Sequence, residues 1–165
     1  MKNYTILKWC HFAINFLPRI LKLKENQVFT KTIEFTDSCR YSIDEASCVN
    51  KLFGFSFGLC GVHKNSARYG WTYDKTSDSI VIWKYVYADG DLTKHTITDV
   101  KIGKKTKFDI DCQAFDGHTY RVIFYINNKW MDSFWFTTKR KWLLTLGYYF
   151  GGNTRAPHTM HVNLY

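Results

Sequence analysis

The chain has 165 residues, 45% of them apolar and 18% aromatic, and its 23 basic and 14 acidic side chains give a formal charge of +9. This composition excludes wholesale disorder, collagen-like repeats and coiled coils, and the length suits one compact domain with its own core. The positive balance fits an anionic partner such as nucleic acid, an acidic glycan or a membrane surface, and equally a surface that keeps an aromatic-rich chain soluble.

Residues 1–26 are apolar and basic, but Lys8 and His11 interrupt the run and no small-residue cleavage site follows. No stretch reaches the length of a transmembrane helix. The segment is expected to be a basic–apolar appendage, packing as a short helix or strand or acting as an interfacial anchor, ahead of a single domain at 27–165.

From there the dominant period is two. In KTIEF (31–35), Ile33 and Phe35 share a side. Residues 40–50 leave room for a helix. In 52–59, Phe53, Phe55, Phe57 and Leu59 share one face; Gly54, Ser56 and Gly58 share the other and leave the backbone open to close approach. The phrase VHKNSAR (62–68) has the composition of a loop. In SIVIWKYVY (79–87), Val81, Trp83, Tyr85 and Tyr87 point one way, and Ile80, Ile82, Lys84 and Val86 the other. With Lys84 among the latter, one face at least is partly wet, and tyrosine, with its polar tip, suits the wet one.

Ala88 to Asp91 is a turn sequence, and strands at 96–102 and 107–112 follow it, the latter with Phe108, Ile110 and Cys112 inward. Residues 119–126 and 129–137 flank Asn127-Asn128, a hairpin signal because Asn tolerates left-handed backbone. Strands at 143–150 and 158–165 complete the chain. So many short strands, with no repeat or linker, predict an all-β, two-sheet antiparallel sandwich or barrel. The basic excess falls late, at Lys101, Lys104, Lys105, Lys107, Lys139, Arg140 and Lys141.

The hairpin phrase HTYRVIFYINNKW (118–130) and a final strand, HTMHVNLY, placed to return beside the first resemble the concanavalin A-like, laminin G-like jelly roll. Two longer phrases, 53–73 and 146–165, resemble small jelly-roll proteins of gut Bacteroidetes and their phages. The resemblance implies a jelly-roll β-sandwich over 27–165 and a carbohydrate-binding module or a structural protein of a phage particle or cell surface. It leaves localisation open between virion, host cytoplasm and cell surface.

Enzymes of this fold set two comparisons. Retaining glycosidases use Glu-x-Asp-x-x-Glu; here the phrase starts at Asp109 and Asp111, and Ala114 stands where the acid/base should be. Alginate-lyase-like members carry a late phrase similar to Tyr-Phe-Lys-Ala-Gly-x-Tyr. Aligned on Gly147, it puts Tyr149 at the proton donor and Thr145 in place of the lysine. His63, Asn65 and Arg68 are the residue types that would supply a base and neutralise a uronate carboxylate.

The leading expectation is therefore a non-catalytic, lectin-like module. Trp71, Tyr73, Trp83, Tyr85 and Tyr87 would stack on sugar rings, with His63, Asn65, Arg68 and Tyr149 as polar partners. Alternatives are a polysaccharide lyase using His63, Asn65, Arg68 and Tyr149, a single-stranded nucleic-acid binder, and a homo-oligomeric or particle-forming protein. No cofactor is indicated. His158 and His161 are three apart, so on a strand they face opposite ways, and calcium at Asp89, Asp91 or Asp99 has no loop signature. Five cysteines without C-x-x-C signal reduced thiols rather than zinc, although Cys39 and Cys48 could close a loop in an oxidising compartment.

Overall fold

The computed structural model describes residues 2–42, 48–59 and 61–165. Cys60 and residues 43–47 of the 40–50 stretch with room for a helix lie outside these. In chain order the strands are β1 (Lys2–Ile6), β2 (Ile20–Lys22), β3 (Asn26–Phe35), β4 (Asn50–Phe57), β5 (Ser66–Asp74), β6 (Ser79–Ala88), β7 (Asp91–Lys101), β8 (Thr106–Ala114), β9 (Thr119–Ile126), β10 (Lys129–Thr137), β11 (Trp142–Leu146) and β12 (Met160–Leu164). One 3₁₀ turn, Asp37–Cys39, follows β3. No helix among the described residues is long and apolar enough to cross a membrane.

The strands form two six-stranded sheets, the first in the order β1-β12-β3-β8-β9-β10 and the second β2-β11-β4-β5-β6-β7. Every strand pair is antiparallel. The N-terminal segment gives one edge strand to each sheet: β1 pairs with β12, and β2 with β11. It is thus part of the sandwich rather than an appendage. The Asn127-Asn128 turn adopts φ of 50° and 65°, as the hairpin signal requires.

Alternation fills the core. Ile33 and Phe35 of β3, Phe108 and Ile110 of β8 and Val122 and Phe124 of β9 meet Phe53 and Phe55 of β4, Tyr69 and Trp71 of β5 and Ile80 and Ile82 of β6. Burying each such side chain contributes roughly 1.5–3 kcal/mol. Tyr69 also crosses the gap. Its hydroxyl donates to the Tyr125 carbonyl at 2.8 Å, with the Asp109 carbonyl at 3.1 Å. Cys39 is fully buried, which pushes its thiol up to about 12, and it forms no disulfide with Cys48.

Lys84 lies on this inward face, not on a wet one. Its ammonium is 2.7 Å from the carboxylate of Asp132 on β10, so an ion pair spans the two sheets near their β7–β10 edge, with His95 of β7 at 2.6 Å from the same carboxylate. Burial works to raise the Asp132 pKa, but the Lys84 and Ser133 hydrogen bonds and the His95 contact together hold it below the usual carboxylate range. The stabilisation this gives is therefore present above the ordinary carboxylate pKa and is lost as pH falls through the depressed value.

Removing one partner of a buried pair strands the other charge. Asp132→Ala is expected to lower stability by about 3 kcal/mol, read as a shift in the urea midpoint. The double variant Lys84→Met/Asp132→Ala should recover most of that loss; equal midpoints for wild type and Asp132→Ala would show that the pair is unimportant.

Candidate functional site

The outer face of the second sheet has a floor of small residues between aromatic and aliphatic walls. Directly paired residues share a face. Across β11, β4, β5, β6 and β7 one row reads Leu144, Ser56, Ser66, Tyr87, Leu92, and the next reads Leu146, Gly54, Arg68, Tyr85, Lys94. Tyr149, bridged to Lys51, heads a third row with Gly70, Trp83 and Thr96. Glycine is required at two floor positions. A Cβ on Gly54 would sit 2.1 Å from the Ala67 carbonyl oxygen, and one on Gly70 would sit 2.5 Å from a Val49 methyl.

Two cations lie deep in this trough. Arg68 and Lys51 are each 7% exposed, and neither has a carboxylate partner among the described residues. Burial lowers Arg68 to about 10, against the pull of Tyr85, Tyr87 and Tyr149, so it stays charged at neutral pH. Burial, reinforced by the charge of Arg68, lowers Lys51 to about 8. The Lys51 ammonium donates to the Gly151 carbonyl at 3.2 Å and lies 4.8 Å from the centre of the Tyr85 ring and 5.5 Å from that of Tyr149. The Arg68 Nε and the Ser66 hydroxyl are buried with no hydrogen-bond partner among the described residues. A buried donor without an acceptor carries an uncompensated desolvation cost.

Other rings close around the cations. Tyr85 and Tyr87 meet edge to face with hydroxyl oxygens 3.5 Å apart, and burial together with that contact raises the Tyr85 pKa. His63 is exposed and meets the Tyr87 ring at 5.0 Å. Asn65 forms reciprocal bonds with Asp89, donating to its carboxylate at 3.4 Å and accepting from its backbone N–H at 2.9 Å, which ties the β4–β5 loop to the β6–β7 turn. His11 stacks on Tyr149 at 5.1 Å, and Phe12 meets the same ring edge-on at 4.8 Å.

Of the residues singled out in the sequence, Arg68, Trp83, Tyr85, Tyr87, Tyr149 and His63 come together on this face, with Asn65 at its end. Trp71 and Tyr73 do not. Both point inward from β5; Trp71 is completely buried against Phe35 and Phe150, and Tyr73 packs on Tyr41 and donates to Asp78. Arg68 lies on a central strand rather than in a loop. Asp109 and Asp111 belong to β8, a central strand of the other sheet. Asp109 is buried between the Thr30 hydroxyl and Lys107. His158 and His161 bond separately to the Ser38 carbonyl and the Thr5 hydroxyl. Asp89, Asp91 and Asp99 are spread over the β6–β7 turn and β7.

Lys51, Lys94 and His11 escaped the sequence reading. By strict alternation Lys51 would share the inward face of Phe53, Phe55 and Phe57. A β-bulge at Leu52 places two β4 residues opposite one on β5, because Lys51 pairs with Gly70 while Phe53 pairs with Tyr69. That turns Lys51 outward.

No protein family matches the sequence, and no curated protein is similar to it. Solved structures are similar in fold. The alginate lyase Aly36B superposes with a TM-score of 0.68 at 14% identity over 98% of this chain and 77% of its own. A variant of that enzyme with a lysine and a tyrosine replaced by alanine, in complex with alginate tetrasaccharide, gives 0.66 at 12% over 98% and 77%. The polysaccharide lyase family 18 protein aly-SJ02 gives 0.50 at 9% over 99% and 86%. The chain is thus a jelly-roll β-sandwich, a fold shared with these polysaccharide-active proteins.

Lys51 provides a check on the site itself. Its folded pKa of about 8 lies below the ordinary value of 10.5, so between these the unfolded chain binds more protons and this residue's contribution to stability grows as pH rises. Lys51→Met removes that dependence. The variant is expected to melt higher than wild type at pH 7, with the difference shrinking by pH 10; a pH-independent difference would contradict the lowered value.

Proposed function

We propose that the chain binds an acidic polysaccharide of the uronate type along the outer face of the second sheet. One observation carries the reading: Arg68 and Lys51 are buried side by side without a carboxylate, with an unsatisfied Arg68 Nε between aromatic walls. Carboxylates would seat on the two cations, and the Trp83, Tyr87 and Tyr149 rings would lie against sugar faces. Their intermediate exposure leaves part of each ring accessible. The alginate trisaccharide and tetrasaccharide held by variants of Aly36B support an acidic glycan as the ligand class.

The lysine beside Tyr149 favours a second reading, cleavage of that polymer by β-elimination. A lysine lowered to about 8 is partly neutral near pH 8 and suits a general base. Lys51 would take the proton at C5 of a uronate whose carboxylate is held by Arg68. The C5 electron pair would form the C4–C5 double bond as the C4–O bond breaks, and Tyr149 would protonate the departing oxygen. The sequence comparison had put a threonine where lyases of this fold have lysine; here a lysine reaches Tyr149 from β4 instead.

Calorimetric titration with alginate oligosaccharides is expected to show saturable binding that neutral dextran oligosaccharides do not. Arg68→Gln should weaken it about 10- to 100-fold, the usual loss for a hydrogen bond to a charged group. Trp83→Ala should weaken it while leaving the melting temperature close to wild type. Equal affinity for neutral glycans, or an unchanged Arg68→Gln, would refute the proposal. The readings part with pH. Simple binding weakens as Lys51 loses its proton above pH 8, whereas elimination accelerates there and releases ultraviolet-absorbing unsaturated uronates.

A further inference from the structure

A second cavity, of about 490 Å³, lies between the sheets at the end where β1 and β2 join them. It is on the inner side of the second sheet and does not depend on the groove reading. Its walls are apolar: Phe29 and Leu164 from the first sheet, Leu21 and Phe53 from the second, and Phe16 from the segment joining β1 to β2. The volume lies within the range of small-molecule sites.

The charge of this cavity is one-sided. Lys2, Arg19 and Lys31 line it, and no Asp or Glu does. Lys31 is the telling residue. It lies on β3 in the inward register of Phe29, Ile33 and Phe35, where alternation calls for an apolar side chain. Phe29 stacks on Phe55 across the core at 4.8 Å. The Lys31 ammonium donates to the Tyr4 hydroxyl at 3.2 Å and lies 5.1 Å from the Tyr4 ring centre and 5.8 Å from that of Phe53. No carboxylate among the described residues pairs with it. An ammonium has three donors, and the Tyr4 hydroxyl takes one, which leaves donors to face a ligand in the cavity.

We propose that this cavity binds a medium-chain fatty carboxylate. The carboxylate seats on Lys31 at the Tyr4 hydroxyl, and the alkyl chain lies along Phe29, Phe53 and Leu164. Lys2 and Arg19 add positive charge around the same space. The lining favours an alkyl chain over a sugar, because its polar side chains apart from the cations and Tyr4 are Asn15, Thr30 and Thr145, and Thr30 is committed to Asp109.

Dodecanoate, titrated below its micelle concentration into the full chain, is the probe. It is expected to bind one to one and raise the melting temperature, while dodecan-1-ol binds at least about tenfold more weakly, a difference of about 1.4 kcal/mol. Lys31→Met should weaken dodecanoate at least about tenfold and abolish the preference over the alcohol. Leu164→Trp, which fills the cavity without touching Lys31, should abolish binding of both. Arg68→Gln should leave dodecanoate affinity unchanged, and alginate oligosaccharide should not displace it. Absence of saturable binding, equal affinity for acid and alcohol, or loss of binding in Arg68→Gln would each overturn the proposal, the last by placing the anion in the groove.

Discussion

Tyr69 ties the two sheets together, and the rest of the molecule is arranged around that tie. Its ring packs against Phe53 on the neighbouring strand and against Phe108 and Phe124 on the opposite sheet. Its hydroxyl reaches backbone carbonyls across the gap. A buried phenol usually finds an acceptor, and these carbonyls, with the ring contacts, hold the register of β5 against the first sheet. Once Tyr69 points inward, pleating sends Arg68 and Gly70 outward. The cationic face is the reverse side of a strand whose core side is held by Tyr69.

That face concentrates positive charge at a desolvation cost. Burial disfavours the charged form of both Lys51 and Arg68, and the Arg68 charge lowers Lys51 further, so the two cations carry an uncompensated desolvation cost beside the tyrosines. Sites that bind charge commonly store this kind of cost. Lys84 shows the contrasting solution. It too is buried, but on the inward face, where Asp132 answers it, so it serves the architecture. Lys31, inward on β3, has a tyrosine hydroxyl and rings for company instead of a carboxylate. Three inward or buried lysines thus differ in what balances their charge.

Much of the fold was legible in the sequence because period-two alternation reports which face of a strand is buried. The strands around Phe53–Phe57, Phe108–Cys112 and Val122–Ile126 and the Asn127-Asn128 turn all follow from local pattern. The strand at 66–74 was less legible, since its outward positions carry Ser, Arg, Gly and Thr and its start resembles a loop. Trp71 was assigned to the wrong face for the same reason: aromatic residues occupy both sides of the sheet, and residue type alone does not separate a core ring from a stacking ring. The N-terminal strands were hidden because edge pairing depends on partners more than a hundred residues away.

By itself, then, the sequence determined an all-β chain with an aromatic interior, a positive balance and a candidate face at Trp83, Tyr85 and Tyr87. It did so because alternation and turn chemistry act between near neighbours. Only the tertiary structure decided which rings face the core, joined Tyr149 to that face, and turned Lys51 toward Arg68 through the bulge at Leu52. It also set Lys31 among the rings of two sheets. A bulge shifts register by one residue without a compositional mark, and charge pairing across strands depends on distances that no local pattern encodes.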